Sequence, residues 1–288
     1  MALSKINPTN LSSWAKLDKK FKAECNIHIS TFFEESDRLE KFTTSWKDFY
    51  LDFSKNRLSS SSLKILLDLC GETDLKNNIE KYFNGSIINE TEKRAVLHTK
   101  LRSSEIKDPN LKKEVNDNLD KIISISDKIN SGKKLGYTGK KITDVVNIGI
   151  GGSHLGPEMV TEALSYYSHG VKPHFVSNID PDFTSKLLEK LNPETTVFII
   201  VSKTFTTIET LENAKKIKKW FIDKANVESI KDHFIAVSNN TEAPKEFGIS
   251  FDNVLSIPEW VGGRFSLWGS VGLIISIIIG SKNFKEFL

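Results

Sequence analysis

The sequence predicts an α/β protein: a helical N-terminal segment, then a mainly parallel five-stranded sheet with helices on both faces. Three observations carry that expectation. From about Asn10 to Asp127 the pattern is helical, with few strand signals. A glycine- and lysine-rich stretch, KINSGKKLGYTGKK, follows. Beyond it, short apolar runs alternate with longer amphipathic ones, the order that lays strands side by side in parallel and covers the sheet with crossover helices.

Taken in order, the N-terminal part has polar turns such as NGSIINETEKR, and Thr91 ahead of EKRAVLHTKLR reads as a helix start. Strands are expected at Asp144 to Gly149, His174 to Asn178, Thr196 to Ser202, His233 to Ser238 and Asn253 to Ile257. The helices between them are expected at Leu155 to Tyr167, Phe183 to Leu191, Thr210 to Lys224 and Ala243 to Phe247. The apolar run VGLIISIIIG, Val271 to Gly280, is about half the roughly 20 residues that span a bilayer and reads as a buried helix or strand. Two domains are expected, a helical segment over 1–125 and an α/β domain over 126–288. There is no internal repeat.

Composition narrows the function classes. Forty Lys and Arg against 37 Asp and Glu leave a formal charge of +3, too balanced to argue for nucleic acid. Cys25 and Cys70 lie far apart and form no metal-spaced pair, which suits a reduced, cytoplasmic setting. The start, MALSKINPTNLSSWAKL, lacks the apolar core of a secretory signal, and no membrane span is expected. His98, His154, His169 and His174 show no metal-ligand spacing, and the five tryptophans read as core residues.

Three loops after expected strands stand out, because ligands of parallel sheets collect at the carboxyl ends of the strands. The first, within DVVNIGIGGSHLGP, has four glycines and Ser153; glycine admits positive φ and close approach to backbone amides, and a helix N-terminus behind it favours an anion. The second, VSKTFTTIET, places Ser202, Lys203, Thr204, Thr206, Thr207 and Thr210 within nine positions, donors suited to a phosphate monoester. The third, EWVGGRFSLWG, uses Gly262 and Gly263 to present Arg264, whose guanidinium suits a developing oxyanion. Each has a plainer reading: a tight strand-to-helix crossing, helix caps, a surface arginine. A dinucleotide site is disfavoured, since His154 stands where the third fingerprint glycine belongs and Asp180 comes too late; no Gly-Lys-Ser/Thr closes a Walker loop.

In order and spacing, VVNIGIGGSHLGPEMVTEAL, FVSNID, NPETTVFIIVSKTFTTIETLENA, EFGI and WVGGRFSLWGSVGL strongly resemble the phosphoglucose isomerase family. DFSKNRLSSSSLKILLDL and TEKRAVLHTKLRS extend the likeness through the first part of the chain. The resemblance implies a sugar-isomerase (SIS) αβα domain after the helical segment, a cytoplasmic homodimer, and no metal or organic cofactor. It implies reversible isomerisation of glucose 6-phosphate and fructose 6-phosphate, through a cis-enediol, in glycolysis and gluconeogenesis. By that resemblance Ser153, Ser202, Lys203, Thr204 and Thr207 hold the substrate phosphate, Gly152 and Gly263 line the sugar, and Arg264 stabilises the enediolate.

Two departures qualify this. Most members carry Asp where this chain has His154, which adds a titratable group beside the phosphate loop. Members also run to about twice this length, a two-domain scale. Their second SIS domain supplies the glutamate base, in a Glu-Ser-Asn-Gly-Lys stretch, with a histidine and a lysine for ring opening, and those motifs do not occur here. The expectation is therefore an N-terminal piece of such an isomerase that holds the phosphate clamp and lacks the base. The competing expectation is a non-catalytic sugar-phosphate-binding SIS module.

Overall fold

The computed structural model describes residues 3–168 and 170–288, so His169 lies outside the described residues. They pack as two compact units, one running to Ala95 and the other from Val96 to Leu288.

The first unit contains helices α1 (Ser12–Glu24), α2 (Ile29–Phe32), α3 (Arg38–Lys41), α4 (Ser60–Glu72) and α5 (Leu75–Asn84), with a hairpin of β1 (Thr43–Trp46) and β2 (Phe49–Asp52). α1 and α4 clasp each other through carboxylates. Glu72, at the end of α4, accepts from Ser12 Oγ (2.6 Å) and from the Ser13 amide (3.1 Å), capping a helix whose own N-cap, Leu11, has no acceptor. Glu24, at the end of α1, accepts from Ser59 and Ser62 at the start of α4, both at 2.8 Å. Arg38 is fully buried, bonding the carbonyls of Ser54, Asn56 and Leu58 beneath the Phe42 ring.

One sequence expectation fails here, and one element is unmarked in the sequence. The hairpin carries no sequence signal because seven of its eight strand residues are exposed, so no alternation of apolar and polar residues marks it. The helix start expected at Thr91 does not form. The Asn89 side chain accepts from the Glu92 amide (3.2 Å) and Asn89 bridges Arg94, which closes a turn instead, and only a 3-10 segment, His98–Arg102, follows.

The second unit, which begins with that 3-10 segment, runs on through α6 (Pro109–Asn130), capped by Asp108, β3 (Asp144–Ile148), α7 (Leu155–Ala163), β4 (Lys172–Val176), α8 (Pro181–Glu189), β5 (Thr196–Val201), α9 (Ile208–Lys224), α10 (Ile230–His233), β6 (Phe234–Val237), α11 (Glu242–Glu246), β7 (Val254–Leu255), α12 (Leu273–Ile279) and α13 (Ser281–Phe287). The sheet is parallel throughout, in the order β4-β3-β5-β6-β7. Four of the expected strands sit within their expected spans. β4 starts two residues early because it includes Pro173, which an edge strand tolerates. The boundary expected at 125/126 falls inside α6, whose inner face packs with the second unit.

Successive strand residues face opposite layers. Val145, Val197, Ile199, Val201, Ile235 and Val237 pack with α6 and α12. Val146, Ile148, Phe198, Ile200, Phe234 and Ala236 pack with residues of α8 and α9. The apolar run near the C-terminus is helical: all seven residues of α12 are buried, as a helix apolar on every side requires. From α6, Ser126 Oγ donates to Ser276 O (2.7 Å) and Asn130 Nδ2 to Ile277 O (3.0 Å). At the amino end of the sheet His233 is fully buried, with Nδ1 2.7 Å from Thr196 O and Nε2 2.9 Å from the Tyr137 amide. Among the described residues no helix is long and apolar enough to cross a membrane.

Candidate functional site

After β3 the chain crosses to β4 on one side, then returns to β5 on the other. In open parallel sheets the loops diverge at such a reversal and leave a crevice at the carboxyl ends of the two strands. A cavity of about 240 Å³ lies there. Gly152, Ser153, Ser202, Lys203, Thr207 and Gly263, all expected from the sequence, line it. Thr204 and Arg264 do not.

The three loops close on one another at short range. Buried Asn147, on β3, turns back so that its Nδ2 donates to Ser153 O at 2.9 Å and holds the glycine loop over the strand end. A Cβ on Gly152 would stand 2.4 Å from both the carbonyl carbon and the oxygen of Gly263, so side chains are excluded where the first and third loops meet. Gly263 itself has φ +55°, a left-handed conformation that glycine adopts without strain.

In the second loop, buried Ser202 and half-buried Thr207 place their hydroxyl oxygens 3.2 Å apart. Thr207 occupies the N-cap of α9, yet among the described residues its side chain makes no cap bond. The plainer reading of that threonine as a helix cap therefore fails, and the positive end of the α9 dipole adjoins the cavity. Thr204 is exposed, with Oγ1 2.6 Å from Thr206 Oγ1. Between them Phe205 takes φ +57° and buries its ring against Phe247, with centroids 6.0 Å apart. The Lys203 ammonium donates to the carbonyls of Glu259 (3.0 Å) and Val261 (2.8 Å).

Arg264 is exposed, its guanidinium carbon 4.7 Å from the centroid of the Phe265 ring. The buried His98 ring stacks on the same phenyl ring at 4.0 Å and 10°. Burial, and then the positive charges of Arg102 and Arg264, hold the His98 pKa below its ordinary value. His154 is turned from the cavity, with Nε2 3.0 Å from Glu158 and its ring tilted 5.9 Å from Phe175. His174 pairs with Asp144 at 2.8 Å, on the strands rather than in the loops.

Thr210, named in the second loop from the sequence, lines the cavity too, and the polar lining residue outside the expected set is Ser266. Thr210 is buried, and its hydroxyl has no hydrogen-bond partner among the described residues. It stands one helical turn after Thr207, and residues three apart share a helix face. No group of three or more His, Cys, Asp or Glu among the described residues is arranged to hold a metal.

The family model described as phosphoglucose isomerase matches residues 52–288. The chain belongs to the phosphoglucose isomerase family. A glucose-6-phosphate isomerase of Christiangramia forsetii is 47% identical over 292 aligned positions, covering 99% of this chain and 54% of the relative. The crystal structure of a glucose-6-phosphate isomerase from Chlamydia trachomatis shares the fold, with a TM-score of 0.82 at 24% identity over 98% of this chain and 55% of that one. The chain thus spans about half the length of the phosphoglucose isomerases it matches.

Proposed function

We propose that the switch-point cavity holds the phosphate of a hexose 6-phosphate, and that the chain serves the reversible isomerisation of glucose 6-phosphate and fructose 6-phosphate. The observation that carries this reading is the pair of hydroxyls on Ser202 and Thr207, 3.2 Å apart at the start of α9 and turned from any capping role. With Ser153 across the cavity they present donors to an anion beside a helix dipole. Family membership supplies the reaction; the site supplies the anchor.

Held by its phosphate, the opened sugar loses its C2 proton to a general base, an enediolate forms, and protonation at C1 completes the transfer. Arg264 is the group in this chain suited to the enediolate charge, and Gly152 and Gly263 leave room for the sugar between the loops. In the family the base and ring-opening groups lie in the stretch for which this sequence has no counterpart. These 288 residues are therefore read as binding substrate without turning it over at an enzymatic rate. The cytoplasmic homodimer of glycolysis and gluconeogenesis belongs to the same reading.

Calorimetry with inorganic phosphate and with glucose 6-phosphate tests it. Ser202→Ala and Thr207→Ala should each weaken both ligands by roughly 10- to 100-fold, the scale of one hydrogen bond to a charged group. Parent-like affinity in both variants sinks the clamp. The exposed position of Arg264, outside the cavity lining, favours a second reading, a sugar-phosphate-binding module without chemistry. Both readings expect slow exchange of the C2 hydrogen of glucose 6-phosphate in deuterated water; rapid exchange by the purified chain would require a base within these residues and overturn the assignment of the base elsewhere.

A further inference from the structure

We infer that Lys203 is a positioning residue whose ammonium ties the phosphate-clamp loop to the segment that presents Gly263 and Arg264. The inference rests on the phosphate-site reading above and gives this lysine a role other than contact with the phosphate.

Two donors of the ammonium are committed to backbone carbonyls of one short segment, Glu259 O at 3.0 Å and Val261 O at 2.8 Å. The carbonyl between them, Trp260 O, accepts from the Leu97 amide at 3.2 Å, and the Val261 amide closes a turn onto Pro258 O at 3.0 Å. The lysine is anchored at its other end as well. Its own carbonyl accepts from the Asn239 amide (2.9 Å) and from Ser238 Oγ (3.2 Å), at the carboxyl end of β6. One residue before it stands Ser202; two residues after Val261 stands Gly263, in backbone contact with Gly152. The lysine thus joins the second loop to the third, as the glycine contact joins the third to the first.

Charge explains the choice of residue. The segment buries Val261 and half-buries Trp260 while Glu259 stays exposed, and a cation bridging the carbonyls of Glu259 and Val261 adds a polar anchor to that packing. An ammonium so engaged is poorly placed to be the main counter-charge of a phosphate. Binding at Ser202 and the placement of Gly263 and Arg264 become coupled through it, and coupling of this kind acts in both directions.

Trp260 lies inside the tethered segment and reports on it. Acrylamide quenching of its fluorescence, isolated by difference from a Trp260→Phe control, is compared in the parent, in Lys203→Met and in the milder Lys203→Gln, whose amide is too short to span both carbonyls. Folding is checked by cooperative melts. The expected result without ligand is greater quenching of Trp260 in both variants. With ligand, inorganic phosphate affinity should stay within about threefold of the parent. The advantage of glucose 6-phosphate over inorganic phosphate should shrink about fivefold or more. Unchanged quenching in both variants overturns the tether, and a tenfold or greater loss of phosphate affinity with unchanged quenching makes Lys203 a direct phosphate ligand. A parent that binds neither anion fails the phosphate-site reading, and the quenching comparison still decides the tether.

Discussion

A methyl group at Gly152 would overlap the backbone of Gly263, since its carbon would stand 2.4 Å from that residue's carbonyl. Gly152→Ala should therefore cost about 1–3 kcal/mol of stability, the usual scale of overpacking. It should also weaken phosphate by more than Ser202→Ala does, because it displaces two loops and not one hydroxyl; paired melts and titrations check both effects. His233 sits at the far end of the same sheet. Its Nδ1–H donates to Thr196 O while Nε2 accepts from the Tyr137 amide, so the neutral ring satisfies both partners and a protonated one would set two donors against each other. Burial keeps its pKa below the ordinary histidine value, opposed in part by the hydrogen bond to Thr196 O and by Asp232, and reinforced by Lys134. The sign follows: above a pH of about 6.5 the contribution is fully present, and as pH falls below that value the unfolded chain takes up a proton that the folded chain refuses. The urea midpoint should drop between pH 7.5 and 5.5, and His233→Gln should flatten that drop.

At the scale of elements, the parallel strands were readable because burial on both faces makes them continuous apolar runs, as in TVFIIV of β5, where all six residues are buried. The hairpin was not, for the opposite reason: exposed on both faces and turned by Lys47 and Asp48, it shows neither alternation nor an Asn-Gly signal. Site residues divide similarly. Residue type and loop position pointed to Ser202 and Thr207, whereas the direction of the Lys203 ammonium depends on a segment more than fifty positions away and leaves no local trace. Thr91 carried a genuine capping signal that a competing Asn89 turn overrode. α12 offers the element-scale prediction. Ile277 and Ile278 are buried in a helix that α6 grips by its last carbonyls, so Ile277→Ala should destabilise by about 2–5 kcal/mol. Phosphate affinity, measured where the variant is folded, should hold, since Ile277 is not a cavity residue.

For the whole molecule, every residue lining the cavity belongs to the unit that begins at Val96. A protein of residues 96–288 should accordingly bind inorganic phosphate within about threefold of the longer chain, a comparison that titration settles. Loss of binding in a cooperatively folded 96–288 protein would show that the cavity needs the first unit. The order β4-β3-β5-β6-β7 has a further consequence, in time. The cavity walls come from loops around residues 150–153, 201–210 and 257–271, and the first two become neighbours when β5 pairs with β3. Such long-range closures are slow to form, so a pocket that needs all three loops should be completed late in folding. Phosphate should then act as a brake and not as a template: in stopped-flow experiments a saturating concentration slows the unfolding arm and leaves the refolding arm where it was.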